Sequence, residues 1–139
     1  MMLCNALFVE VVDMSEPTTL REAVFTALNV EPITSQLATD ANGRCIYHTH
    51  APDAGTYPIL IYSVISDVPA LTADNAERER RVTVRVHICT TDGNSDGIYR
   101  AVNDAMLGAG FLRVQCNEVF VDGIFALACD YRVSCDVNF

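Results

Sequence analysis

The spacing of apolar residues near the start of the chain predicts an amphipathic helix. Thr19 and Glu22 stand three residues apart, the spacing of a capping box, in which each side chain bonds the other's backbone N–H. Apolar residues then recur at helical intervals from Leu20 to Leu28 and form one stripe. Pro32 is expected to end this helix or to begin a short second turn through residues 33–38.

A second helix is predicted over residues 98–107. Its apolar stripe repeats the first one, since Ile98, Val102 and Met106 recur every four residues. Asn94 or Ser95 is the expected N-cap, and two glycines at 108 and 110 close the segment.

Four segments have the patterns of β-strands. Residues 58–66 form a continuous apolar run, typical of a strand covered on both faces. Residues 81–89 and 124–137 alternate between apolar and polar positions, which indicates strands with one buried face. Residues 111–121 are a further strand candidate, with an irregularity expected near Asn117, and the Asp-Gly pair at 122–123 predicts a hairpin turn.

The order of these elements predicts one α+β domain over residues 1–139. We expect a mostly antiparallel, mixed sheet of about four strands with two main helices packed on one face. Residues 44–57 are expected to be a loop with a short extended piece, and residues 67–80 a long exposed loop or hairpin arm. Residues 1–13 are apolar and are interpreted as an N-terminal extension of this domain.

Composition narrows the range of partners. Half of the 139 residues are hydrophobic, enough for a core, and the net charge is −9, from 18 acidic residues against nine arginines and no lysine. Such a chain is repelled from phosphate backbones and anionic lipids, which disfavours sequence-independent nucleic-acid binding. No apolar run reaches the ~18 residues of a membrane helix, so we expect no membrane contact.

The six cysteines are interpreted as reduced thiols. They stand at positions 4, 45, 89, 116, 129 and 135, and no two of them form a CxxC pair. That spacing disfavours zinc and dithiol redox sites, and a chain of this length forms a core without disulfides. We expect most of them to be buried as small apolar side chains.

Two histidines offer the chain's one metal-like spacing. His48 and His50 would project on one side of an extended segment, with Asp53 close by, and two imidazoles and a carboxylate suit a transition metal. An ordinary surface loop is the favoured interpretation, and a small metal- or ligand-binding domain is the alternative. No nucleophile–base pair or nucleotide-binding motif is present, so neither an enzyme nor a cofactor is expected.

The charges of Glu77, Arg78, Glu79, Arg80 and Arg81 alternate in sign before the strand at 81–89. The simpler interpretation is a solvated loop. The alternative is an arm whose charges pair with complementary charges on a neighbouring subunit. Long loops without structure are uncommon unless they are functional, which favours the second interpretation somewhat.

Several short motifs carry a family resemblance. They are LREA at 20–23, NGRCIY at 42–47, YPILIY at 57–62, RVTVRV at 81–86 and YRVSCDV at 131–137. In these motifs, and in their order from Leu20 to Phe139, the chain resembles the tail-completion, or tail-terminator, proteins of long-tailed phages and prophages. It departs from the family's pattern at Cys89-Thr90, where an aromatic and a small residue are usual, and in the extension at residues 1–13.

The resemblance implies a structural virion protein without catalysis. Such proteins form a ring, typically a hexamer, at the head-proximal end of the tail tube, where they end tube polymerisation and join the head connector. The implied partners are other copies of the chain, the tail tube protein and the head-completion protein, with DNA only passing through an acidic lumen. The implied location is the virion tail, after assembly in the host cytoplasm.

A neck or head–tail joining protein of similar fold is the alternative within the same class. In either case, Glu77, Arg78, Glu79, Arg80 and Arg81 are the residues we expect to contact neighbouring subunits or the tube. A ring requires two different complementary patches on each subunit, and the segment at 67–80 and the exposed strand edges are the candidates for them.

Overall fold

The computed structural model describes residues 19–51, 56–73 and 76–136, without the side chains of residues 71–73, 76–78 and 136. The extension at residues 1–13 and Asp53 lie outside the described residues. The elements in chain order are α1 (Leu20–Leu28), α2 (Glu31–Thr34), β1 (Ile46–His48), β2 (Ile59–Ala73), β3 (Ala76–Thr90), α3 (Asp96–Gly108), β4 (Leu112–Val121) and β5 (Ile124–Asp136).

The described strands form one mixed sheet in the order β1-β2-β3-β5-β4. β1 runs parallel to β2, and every other neighbouring pair is antiparallel. The α+β class is therefore confirmed. The described part of the chain has five strands and three helices, one more of each than expected. The additional strand β1 has three residues and the additional helix α2 has four, too few for either to show a periodicity.

The capping box of α1 is confirmed. The Glu22 backbone N–H donates to Thr19 Oγ1 at 3.1 Å, and the Thr19 N–H donates to Glu22 Oε1 at 3.2 Å. Two of the N–H groups that a helix start leaves without partners are thereby satisfied. The N-cap of helix α3 is Ser95, one of the two residues expected there, although its side chain makes no capping bond. The helix runs from Asp96 to Gly108 and so begins two residues before the apolar stripe that predicted it.

One hydrophobic core lies between the sheet and the helices. The alternation of β3 is confirmed, because Val82, Val84, Val86 and Ile88 are all fully buried on the face that the helices cover. Helices α1, α2 and α3 and strands β2 and β5 contribute the other large fully buried side chains of this core: Val24, Leu28, Ile33, Leu60, Val102, Met106 and Tyr131.

The segment at 67–80 is a paired ribbon rather than a loop. Strand β2 continues to Ala73 and β3 begins at Ala76, and the two strands stay paired to that end, with register shifts after Val64, Pro69 and Leu71. The apolar run of β2 is buried on both faces only at its start. Val64 and Ile65 are already exposed, since the ribbon runs beyond the helices.

The hairpin turn between β4 and β5 is confirmed. Asp122 and Gly123 have φ values of 53° and 81°, and Val121 pairs with Ile124 across them. Two positive φ values in a two-residue loop are typical of the type I′ turn, whose twist matches that of the strands. The irregularity expected near Asn117 lies instead between Arg113 and Gln115.

The cysteines of the described residues are partly or wholly buried. Cys45, Cys89 and Cys129 are buried, and Cys116 and Cys135 are partly so. Burial raises the pKa of the thiols of Cys45, Cys89 and Cys129, which keeps them protonated at neutral pH.

Removal of the α1 cap provides a test of this fold. We expect Thr19→Ala to lower the free energy of unfolding by about 1 kcal/mol, the usual loss for an N-cap. Thr26→Ala is the matched control on the same helix, because Thr26 is exposed and alanine is the better helix former. Urea unfolding of both variants measures the difference, and equal losses would contradict a capping role for Thr19.

Candidate interaction surfaces

The segment of alternating charge lies at the start of β3. Glu79 and Arg81 are exposed there, and the side chains of Glu77 and Arg78 are outside the described residues. Glu79 pairs in register with Asp136, and Arg81 lies between Val68 and Ser134. These charges therefore belong to a strand of the sheet and not to a loop.

Arg80 already has a partner within the subunit. Its Nη1 lies 3.3 Å from Asp67 Oδ2 on β2, and its side chain is mostly buried. Its Nε is buried and has no hydrogen-bond partner among the described residues. Of the three predicted interface residues whose side chains are described, Arg80 is the one with an ion pair inside the fold, so it is the least suited of the three to hold a neighbour.

A polar row crosses the face of the sheet opposite the helices. Register places Ser63, Arg85, Asp130 and Gln115 side by side on β2, β3, β5 and β4. Arg85 forms a two-point ion pair with Asp130, with Nε–Oδ1 at 2.8 Å and Nη2–Oδ2 at 3.0 Å. Gln115 Nε2 donates to Asp130 Oδ2 at 2.9 Å, so one carboxylate connects three strands.

This network holds Asp130 in its charged form. The residue is 3% exposed, and the hydrogen bonds from Arg85 lower the pKa of its carboxyl despite the opposing effect of burial. The same pairing raises the pKa of Arg85. His87 lies one row away on this face, where burial and then the Arg85 charge lower its pKa, so at neutral pH it is an uncharged neighbour.

The predicted pair of histidines does not share one extended segment. Thr49 between them has a φ of 68°, so the chain turns there, and the His50 N–H donates to the His48 carbonyl at 2.9 Å. His48 lies against the Tyr62 ring, with centroids 5.3 Å apart, and burial lowers its pKa. No cluster of three or more metal-ligating side chains occurs among residues 19–51, 56–73 and 76–136.

The most exposed apolar surface is strand β4, at one edge of the sheet. Every residue of β4 except Cys116 is exposed, including Leu112 at 63%, Phe120 at 60% and Val121 at 57%. The Phe120 ring contacts that of Phe125 on β5, with centroids 4.5 Å apart. A long apolar edge strand is a site for pairing with another chain unless something covers it.

A cleft of about 370 Å³ adjoins the tip of the β4–β5 hairpin. It lies between this hairpin and the turn before α3, and its lining residues include Thr90, Gly93, Val119, Phe120 and Phe125. The exposed apolar strand and this cleft form one continuous surface at the hairpin tip. The site is open to water, and Glu118 is a charged residue on its lining.

Sequence reasoning identified β4 as a strand but missed its exposure. A signal was present, since apolar residues occupy both parities of the strand, as at Val119, Phe120 and Val121. In a strand with one covered face, apolar residues would stand only at every second position, on the covered side. The polar row was missed because Arg85, Asp130 and Gln115 are far apart in sequence and meet only through strand register.

No helix in the described part of the chain combines the length and the apolarity needed to cross a bilayer. No protein-family model matches the chain, and no curated protein matches it. Among solved structures, a chain from the virion of a native gene transfer agent particle matches with a TM-score of 0.59. The match covers 88% of this chain and 99% of that chain at 14% identity, so this chain shares the fold of a virion component.

Asp130→Asn tests the polar row. We expect it to lower the free energy of unfolding by about 1–3 kcal/mol at pH 7, since it leaves Arg85 partly buried without a charged acceptor. Because the pKa of Asp130 is depressed in the folded state, its contribution is complete above the ordinary value near ~3.9 and is lost as pH falls through the folded-state pKa. The difference between wild type and variant should therefore shrink on acidification.

Asp104→Asn is the control, because Asp104 is an exposed acid on α3 for which the described residues show no ion pair. An exposed substitution of this kind changes the free energy of unfolding by about 0.5 kcal/mol or less. Urea unfolding at several pH values measures both variants. A pH-independent loss in Asp130→Asn would contradict the assigned charge state of Asp130.

Proposed function

We propose that this chain is a structural virion protein of a phage or a related particle, with no catalytic role. The observation that carries the proposal is the fold shared, over nearly the whole of both chains, with a component of a gene transfer agent virion. The arrangement of the surface supports it, since the chain presents exposed apolar strands where an enzyme would present a cleft with converging reactive groups.

Within that class, we propose the role of a tail terminator. Copies of the chain form a ring, a hexamer by the family resemblance, on the head-proximal end of the tail tube, where the ring ends tube polymerisation and receives the head connector. The net charge of −9 is suited to a lumen that DNA passes without binding. The partners under this proposal are other copies, the tail tube protein and the head-completion protein, and the protein resides in the virion tail.

Loss of the chain tests this role. We expect deletion of its gene from the particle-producing genome to give tails of irregular, excessive length, because nothing stops polymerisation of the tube. Electron microscopy of negatively stained lysates measures the lengths, and expression of the chain in trans is the control that should restore them. Tubes of normal length that lack heads would overturn termination and favour the head–tail joining role instead.

The exposed charges of β3 are proposed to contact the neighbouring subunit or the tube. Glu79 and Arg81 are the described, exposed members of that segment, whereas Arg80 is committed to Asp67. We expect the double variant Glu79→Ala, Arg81→Ala to restore normal tail length poorly in the deletion strain. The matched control is Arg100→Ala on the exposed side of α3, and equal restoration by both variants would remove Glu79 and Arg81 from the interface.

A further inference from the structure

Strand β4 has exposed apolar side chains and, among the described residues, backbone groups that no neighbouring strand pairs with on its outer side. In a hairpin closed by a two-residue turn, the residues that flank the turn exchange both backbone hydrogen bonds, and such pairs alternate along the ladder. Val121 and Ile124 flank this turn, and Val119 pairs with Ala126 two residues on, so these pairs bond inward. The N–H and C=O groups of Glu118 and Phe120 consequently point outward, to the free edge.

The opposite edge of the same sheet is also open over part of its length. β1 covers β2 only at Leu60, Ile61 and Tyr62. The Leu60 N–H donates to the Cys45 carbonyl at 3.0 Å, and the Thr49 N–H donates to the Tyr62 carbonyl at 2.9 Å. By the same alternation, the backbone groups of Val64 point to this side, but they lie beyond the end of β1.

The uncovered part of β2 resembles β4 in character. Val64, Ile65 and Val68 are large apolar residues exposed on it, although they belong to a strand. Pro69 has no N–H and cannot donate a backbone hydrogen bond to an added strand, so the stretch that can pair fully ends before it. The open edge is therefore about five residues long, from Val64 to Val68, close to the usual length of a strand, and it contains the irregularity between Val64 and Ser66, which interrupts the alternation of its outward backbone groups.

We infer that β4 of one copy pairs with this edge of β2 in a second copy. The direction is suitable, because β2 and β5 run the same way and β4 runs opposite to both, so β4 of one copy is antiparallel to β2 of a second copy in the same orientation. Glu118 and Phe120 lie level with Ile88 and Thr90 of β3, and the open edge of β2 lies level with residues 81–84, so the second copy is displaced along the strands by about six residues. A second copy of the chain can cover both edges. Each edge offers the other a strand to pair with and apolar side chains to pack against.

Such a contact joins two different surfaces of the same chain. A heterologous contact continues from copy to copy and closes into a ring when the rotation permits. This inference rests on the proposed function, in which copies of the chain form a ring. It adds that the edges of β4 and β2 are the surfaces through which neighbouring copies contact each other. The sheets would line up edge to edge around the ring, and each copy would have both of its open edges covered.

Mixing two variants tests this pairing. Phe120→Lys places a charge on the β4 edge, and Ile65→Lys places one on the β2 edge. We expect each variant alone to remain monomeric at concentrations where the wild type assembles, and an equal mixture to form a dimer of one copy of each. The dimer follows because Ile65→Lys retains an intact β4 and Phe120→Lys retains an intact β2. Light scattering on a sizing column and native mass spectrometry measure the masses.

Leu107→Lys is the matched control, an exposed apolar residue on α3 that lies on neither edge. It should assemble as the wild type does. Glu118→Pro is a second variant of the β4 edge, because it removes an outward N–H while leaving the ladder to β5 intact, and it should also block assembly. Melting curves show that each variant is folded, and the mixed dimer is itself evidence of folding.

Three outcomes overturn the pairing. They are wild-type masses for the edge variants, a mixture that stays monomeric, and a wild type that is monomeric at every concentration. Tail lengths in the deletion strain report separately on the proposed function. If a variant that cannot pair through its edges still restores normal tail length, the proposed pairing is wrong and the tail-terminator role stands. If the deletion strain makes tails of normal length while the mixed dimer forms, the pairing stands and the tail-terminator role is wrong.

Discussion

The packing of one face of the sheet against two helices is the constraint on which the rest of the structure depends. β3 lies at the centre of the sheet, and its four fully buried side chains from Val82 to Ile88 meet α1 and α3 on that face. Burial of this kind contributes about 1.5–3 kcal/mol for each large side chain, more than any surface ion pair supplies. The helices cover only part of the sheet, however, and the apolar residues beyond them on β2 and β4 stay exposed.

That division explains which parts of the fold the sequence predicts. Where one face of a strand is covered, as along β3, alternation is strict and the prediction holds. Where neither face is covered, as on the ribbon beyond Val64, the alternation lapses and the segment was interpreted as a loop or arm. Strand β1 was expected only as a short extended piece in a loop and not as a strand of the sheet, since it is defined by its pairing with β2 and three residues show no periodicity.

The candidate surfaces also differ in how far the sequence reveals them. The charges from Glu77 to Arg81 are visible in the sequence because they are consecutive, but only the structure shows that Arg80 is engaged by Asp67. The apolar edges are the opposite case, since their residues are ordinary strand residues in the sequence, and their importance arises from their position at the two ends of one sheet. Local pattern cannot report sheet order, so the sequence predicts exposed strand edges without showing that β4 and β2 supply them.

The row formed by Arg85, Asp130 and Gln115 has a consequence for how the sheet can change through evolution. A shift of one residue in the pairing of β3 with β5 would carry Asp130 to the face under the helices and leave Arg85 facing an apolar side chain. These three positions are far apart in the sequence, but their contacts all depend on the same strand register. A substitution at Asp130 leaves Arg85 and Gln115 without the acceptor that they share, so a change at this one position affects three strands.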